Sequence, residues 1–421
     1  MPEIVDRKKL WVPPERPEWV QRINEEGYCM NIRGIVPLDV DSLMKSAIES
    51  TGLSNFGVDN WYEPFKVLVE AYDKEAALNF MGRIRTRSEI ITLLEARLQI
   101  EDTYKRHPEI EDEQIVQPFI IVGQGRSGTS FLLNMLAANP ENGAIKAWEA
   151  IFPCPPPETA TYLTDPRIPL GHKRIDQWNR VMPNIRAIHE YAGEIPIECA
   201  QFIAISFNSP MWFAMFGQVP TYDAFAAKLD PVATLQYYRR MLKLLQWKNP
   251  RKHWAVKSIP HIDVLPQLLE VFPDACFIWP HRDPVRALAS VINFIGTVQH
   301  GGSDFPLKDA SFDALLDPEF SARRLEAVIG WLESGVVPNK RLCSIQYKDL
   351  VGDTMGTIDH IYQYFGIELS ESGRAGMAHY LAENPREIRP HFKVDKGNEA
   401  IIAHEHEIFR RYSEYFSVPI E

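Results

Sequence analysis

The sequence predicts an α/β fold in which a mostly parallel central sheet carries helices on both faces, behind a helical amino-terminal extension. Three observations predict it. Short apolar runs at Phe119–Val122, His253–Lys257, Ala275–Trp279 and Leu342–Tyr347 have strand length and alternate with stretches of helical period. Strands that alternate with helices pair in parallel and are covered on both sides. The first run also passes directly into a glycine-rich turn, Gly123 to Gly128, and then into a helix that places Leu132, Leu133 and Leu136 on one side.

Residues 1 to about 115 read as the helical extension. Pro13, Pro14 and Pro17 mark an irregular arm, Asp73 is the expected cap of a helix through Ala76, Leu78 and Met81, and Ser88 to Tyr104 sets Ile90, Ile91, Leu94 and Leu98 at helical spacing. This block is expected to pack on the α/β domain, residues 116–421, as structural cover. After the glycine turn, the prolines at 153 and 155–157 predict an extended surface segment from Gly143 to Pro157. Residues 150–228 show no clean period and many aromatic residues, and read as a substrate-facing insertion; Glu198 and His189 flank its aromatics and receive no role.

Asp230-Pro231 is an N-cap and first-turn pair for a helix through Leu235, Tyr238, Leu242 and Leu245. A helix is expected over Ile262–Val271, and Pro280 is expected to stop the strand that begins at Ala275. Pro284 opens the next helix, with Ala287, Leu288, Val291 and Ile295 along one side. Glu326–Leu332 is a further helix, and Thr357–Phe365 ends at Gly366.

Composition narrows the function. The net charge of −11 over 421 residues disfavours a nucleic-acid binder, which needs clustered Lys and Arg. Five scattered cysteines at 29, 154, 199, 276 and 343, with no C-x-x-C pair, suggest neither a zinc site nor a disulfide framework. No apolar run approaches the ~20 residues of a membrane span, and no secretory leader is evident, so a cytoplasmic protein without a transmembrane segment is expected.

Parallel sheets bind ligands at the carboxyl ends of their strands. Those ends carry Arg126-Ser-Gly-Thr-Ser130, Lys257-Ser-Ile-Pro-His261, His281-Arg-Asp-Pro284 with Ser290 two helical turns on, and Tyr347-Lys-Asp-Leu350. Arg126, Lys257, Arg282 and Tyr347 therefore share one edge, and such a cluster in an acidic protein calls for a polyanion. The glycine turn imitates the spacing of a nucleotide P-loop, but Thr129 stands where that motif has lysine. A P-loop kinase or hydrolase is the alternative reading, and a catalytically silent nucleotide-binding scaffold another.

Gly125-Arg-Ser-Gly-Thr-Ser130 resembles the 5′-phosphosulfate loop of the sulfotransferases that use 3′-phosphoadenosine 5′-phosphosulfate (PAPS). His281-Arg-Asp-Pro…Ser290 resembles their 3′-phosphate motif, Tyr347-Lys-Asp-Leu350 their Tyr-Glu-Asp-Leu element, and Trp254-Ala-Val-Lys-Ser…His261 with Phe272-Pro-Asp-Ala275 the large bacterial branch. The resemblance spans residues 85 to about 395 and implies the P-loop-like sulfotransferase fold. It implies that Gly125, Arg126, Ser127, Gly128, Thr129 and Ser130 hold the 5′ end of PAPS, that Arg282 and Ser290 hold the 3′-phosphate, and that Tyr347 lies near the nucleotide. Phe131 either stacks on adenine, as the resemblance implies, or belongs to the core. Lys396-Gly397 is similar to a late phosphate-binding pair of the family.

Sulfuryl transfer is a loose in-line displacement, so positioning and charge stabilisation dominate and no metal is required. Lys257 and Arg126 are the cations expected beside the leaving oxygen. Glu149, which resembles the catalytic glutamate of tyrosylprotein sulfotransferases, is the first candidate base, and His261 the second. The expected acceptor is a hydroxyl on a small molecule, lipid or carbohydrate, and the expected product is 3′-phosphoadenosine 5′-phosphate (PAP).

Overall fold

The computed structural model of the chain describes residues 6–188, 191–309, 316–385 and 398–421. Five strands form one sheet: β1 (Phe119–Ile121), β2 (Asn142–Gly143), β3 (His253–Lys257), β4 (Cys276–His281) and β5 (Leu342–Gln346). Their order is β2-β3-β1-β4-β5, and every neighbouring pair is parallel. The chain leaves β1 toward one edge and, after β3, crosses to β1's other side. The crevice at the carboxyl end of β1 is therefore the switch point where such sheets take ligands.

Alternate residues of β1 enter different cores, as the two-residue period of a strand requires. Phe119 and Ile121 pack with Ala255, Ile278, Leu132 and Leu136 beneath the helices Thr129–Ala137 and Thr354–Phe365. Ile120 and Val122 face the larger core on the other side, together with Val256, Phe277 and Trp279. That larger core also takes Ile90, Leu94, Leu98 and Ile100 from the 27-residue helix Phe80–Arg106, so the amino-terminal helices share the sheet's interior. Arg97 of this helix is buried and donates to Phe56 O at 2.7 Å.

Several local expectations change. Asp73 caps nothing: it lies inside the helix Tyr62–Lys74 and pairs with Arg83 at 2.5 Å, while Asn79 caps the long helix by accepting from Gly82 N. The segment after β2 is not an extended surface strip. Its residues 147–151 form a short buried helix, Ala147–Ile151, containing Trp148 and Glu149. The strand from Cys276 does not stop before Pro280 but runs through it to His281.

The reason for that last difference is register. Cys276 N bonds to Pro118 O and Val122 N to Ile278 O, so the even-numbered residues of β4 direct their polar groups toward β1. At position 280, β1 has already turned away, and a proline there forfeits no ladder bond. By contrast, Asp230 caps the helix Pro231–Gln246 and Gly366, at φ 65°, ends Thr354–Phe365 as expected. Among the described residues no helix is long and apolar enough to cross a membrane.

Candidate active site

The chain leaves β1 through a turn that only glycine fits at two points. Gly123 has φ 119°, and a Cβ there would lie 2.6 Å from Trp279 Cδ1; Gly128 has φ 95°, and a Cβ there would lie 2.9 Å from Tyr347 Cδ2. Arg126 also takes a left-handed φ of 68°, a conformation that costs a residue with a Cβ roughly 1–2 kcal/mol. Ser127 closes the turn by donating its hydroxyl to Gln124 O at 2.8 Å. The helix Thr129–Ala137 begins at once and has no side-chain cap, so its first N–H groups open toward the loop. Thr129 is buried, Ser130 is half-buried, and Phe131 packs partly buried against the core beneath the sheet.

The end of β4 meets this loop directly. Arg282 Nη1 donates to Arg126 O at 2.9 Å, and Arg126 Nε donates to Ser290 Oγ at 3.1 Å. The Arg282 guanidinium lies 4.1 Å from the centre of the Tyr347 ring. Its Nε and Nη2 each donate to the Glu421 carboxylate at 2.9 Å, with Arg286 Nε 3.3 Å from the same group. Glu421 N is in turn held by Asp283 Oδ2 at 2.9 Å, and Asp283 caps the helix Pro284–His300 that carries Ser290. The structure thus gathers Arg126, Arg282, Ser290, Gly128 and Tyr347 around one crevice, in which a two-oxygen anion already sits in the arginine fork.

On the other side of the loop, Lys257 pairs in register with Ile121 at the end of β3 and is 4% exposed. Its Nζ forms a short ion pair with Glu198, the residue that precedes the helix Cys199–Ile203. Backbone pairing brings this carboxylate in. Ala147 N bonds to Ile195 O at 3.1 Å and Ile197 N to Ile145 O at 2.9 Å, so residues 195–198 lie along the chain leaving β2. Glu198 emerges beside the end of β3.

Three other ionisable groups sit apart from this pair. Glu149 is 2% exposed, accepts from Lys146 N at 2.8 Å, and has Tyr162, Arg251 and Lys146 around it; burial raises its pKa above the usual carboxylate value. His261 is buried near the Tyr238 ring with Nε2 unpartnered, and burial pushes it down to about 3, leaving it neutral at ordinary pH. His281 lies against Phe416 and hydrogen-bonds Tyr412 at 2.9 Å, and burial likewise lowers it to about 3. His189, Lys396 and Gly397 lie outside the described residues. Among the described residues no group of three or more His, Cys, Asp or Glu side chains could hold a metal ion.

A model of the sulfotransferase family matches residues 118–371. An omega-hydroxy-beta-dihydromenaquinone-9 sulfotransferase, Stf3, of Mycobacterium bovis is 26% identical over 306 residues, covering 70% of this chain and 74% of its own, and its Mycobacterium tuberculosis counterpart matches equally. The crystal structure of sulfotransferase STF1 from Mycobacterium tuberculosis superposes with a TM-score of 0.73 at 26% identity, covering 88% of this chain and 98% of that one. Sulfotransferase STF9 from Mycobacterium avium gives 0.76 at 25% identity, covering 91% and 98%.

Proposed function

The chain belongs to the sulfotransferase family and is a sulfuryl-transferring enzyme, and from that premise we propose that it takes the group from PAPS and places it on the hydroxyl of a lipid. When bound, PAPS supplies the sulfuryl group at one end of a nucleotide that carries a second anion, its 3′-phosphate. One observation supports this donor above all. The hydrogen bonds from Arg282 to Arg126 and from Arg126 to Ser290 join the glycine loop and the residues after β4 around a single crevice, which fits one ligand with an anion at each end. The glycine positions, where a Cβ would collide, and the anion in the Arg282 fork fit a phosphorylated ligand.

The 5′ end would be held by the N–H groups and hydroxyls of residues 125–130, the 3′-phosphate by Arg282 and Ser290. Tyr347 packs under the Arg282 guanidinium and keeps it in plane. We assign the base to Glu198: it is the carboxylate at the strand edge beside the loop, and its ion pair with buried Lys257 fixes its direction. Glu198 takes the acceptor's proton, and Lys257 faces the charge that develops as the bond to the leaving oxygen breaks. Glu149 acts instead as an internal brace for the helix Ala147–Ile151, and His261 as a neutral core side chain.

The lipid acceptor is supported by the name of the Stf3 relatives, whose substrate is a hydroxylated menaquinone, and by the aromatic character of residues 150–228, which we read as the acceptor-facing part. Residues 1–115 serve as packed cover for the α/β part, consistent with the core they share. Transfer of labelled sulfate from PAPS to a panel of lipid, phenol and sugar hydroxyls tests the assignment. The proposal expects turnover with lipids and its loss in Glu198→Gln; failure to bind PAP at all would overturn it.

A further inference from the structure

The anion in the arginine fork is the chain's own, and more cation surrounds it than one carboxylate requires. Glu421 Oε1 accepts from Arg282 Nε and Oε2 from Arg282 Nη2, each at 2.9 Å. Oε2 also lies 3.3 Å from Arg286 Nε, four residues beyond Arg282 and in the first turn of the helix Pro284–His300. Two guanidiniums therefore converge on a group of single charge with two oxygens. A phosphate monoester has three terminal oxygens and nearly two negative charges, and it matches that pair of guanidiniums better than a carboxylate does.

The segment that carries Glu421 is built to deliver it. The helix Arg410–Tyr415 ends where Ser417 takes a φ of 53°, and Val418 N bonds back to Ser413 O at 2.8 Å. The chain thereby turns onto the ends of β4 and β5. Phe416 O accepts from Gln346 Nε2 at 2.8 Å, and the Phe416 ring stacks on His281 with centres 4.2 Å apart. Val418 is buried, and Glu421 N bonds to Asp283, the residue that caps the helix carrying Arg286. The backbone is thus anchored at 416, 418 and 421, whereas the Glu421 side chain is 25% exposed. A side chain can swing out while its backbone stays, so this carboxylate is tethered beside the fork at high local concentration.

We propose that Glu421 is the resting ligand of the site assigned above to the 3′-phosphate, that Arg286 is a further member of that site, and that the nucleotide enters by displacing the carboxylate. The inference rests on the PAPS reading. One anion replaces another: the phosphate takes both guanidiniums and Glu421 turns to solvent. The displaced carboxylate remains next to its former place and competes for it, so it weakens the hold on PAPS and on PAP alike. Adenosine 5′-monophosphate (AMP), which has no 3′-phosphate, makes no demand on the fork and leaves Glu421 where it is.

Calorimetry of the full chain with PAP and with AMP tests the exchange. Glu421→Gln tightens PAP about two- to fivefold, Glu421→Ala at least as much, and neither moves AMP. Arg286→Gln weakens PAP by about threefold or more in the Glu421→Gln background. It weakens PAP less in the otherwise unaltered chain, where it also loosens the competitor. AMP affinity that stays constant through the series shows that each variant keeps a folded crevice. PAP affinity indifferent to both Glu421 variants, or AMP gaining as much as PAP, overturns the exchange. Loss of the Arg286→Gln effect in the Glu421→Gln background overturns the role of Arg286. If PAP binds more tightly than AMP but ignores Glu421, the PAPS reading stands and the exchange alone falls. If PAP never binds more tightly than AMP, in wild type or in either Glu421 variant, both fall together.

Discussion

Replacing Glu198 by Gln isolates basicity from shape. The amide has the same length, and its oxygen still accepts from the Lys257 ammonium, so the side chain stays where the ion pair holds it. What it loses is the ability to take a proton from the acceptor. Positioned general bases contribute about 10²- to 10⁴-fold, equivalent to about 3–5 kcal/mol of barrier. The expected result is a fall of that size in kcat for sulfate transfer. PAP affinity, which the proposal gives to Arg282 and the glycine loop, stays within about threefold. Lys257 is 4% exposed, so removing its counter-charge also lowers the melting temperature by a few degrees. Steady-state transfer of labelled sulfate, calorimetry with PAP and a thermal melt read the three quantities. A kcat within fivefold of wild type, or a loss of PAP binding as large as the loss of rate, refutes the role of Glu198 as base.

Glu149→Gln leaves an oxygen for Lys146 N but takes the negative charge from beside Lys146 and Arg251 and puts amide N–H groups into a buried cluster, and should lower the melting temperature while kcat changes less than about tenfold; a loss matching that of Glu198→Gln in the transfer assay would return the base to Glu149. Glu421→Gln weakens the anion now in the Arg282 fork, and PAP should bind about two- to fivefold more tightly by calorimetry, since half-exposed ion pairs are worth up to roughly 1 kcal/mol. Gly128→Ala forces a Cβ into φ 95° and to 2.9 Å from Tyr347, so PAP affinity should drop at least about tenfold, with circular dichroism unchanged. Asp223 is raised from 3.8 to about 7 by burial and by Glu75. The native state therefore holds its proton longer than the unfolded chain, and this contribution to stability, full below about 4, is lost as pH rises through about 7. Melting temperatures of Asp223→Asn should lack that decline.

The parallel sheet and the gathering of Arg126, Arg282, Ser290 and Tyr347 at its carboxyl edge were legible because strand ends announce themselves locally. Each apolar run is followed within a residue or two by a residue that lines the crevice, as with Ile121 and the glycine loop, or His281 and Arg282. Glu198 was not legible in this way. It belongs to a stretch without a period, and only the long-range pairing of Ile197 with Ile145 brings it to Lys257. Pro280 misled for a related reason, since a proline's cost in a strand depends on whether a neighbour is present, and sequence alone does not give the register.

Pro280 has one further consequence. A crevice between two diverging parallel strands is open to being zipped shut by a few more ladder bonds. Because the residue of β4 that would offer its N–H to a lengthening β1 is an imino acid, the next rung lacks its β4 donor and further zipping is weakened. The covalent chemistry of one residue thus disfavours closure of the sheet's mouth whether or not a guest is present.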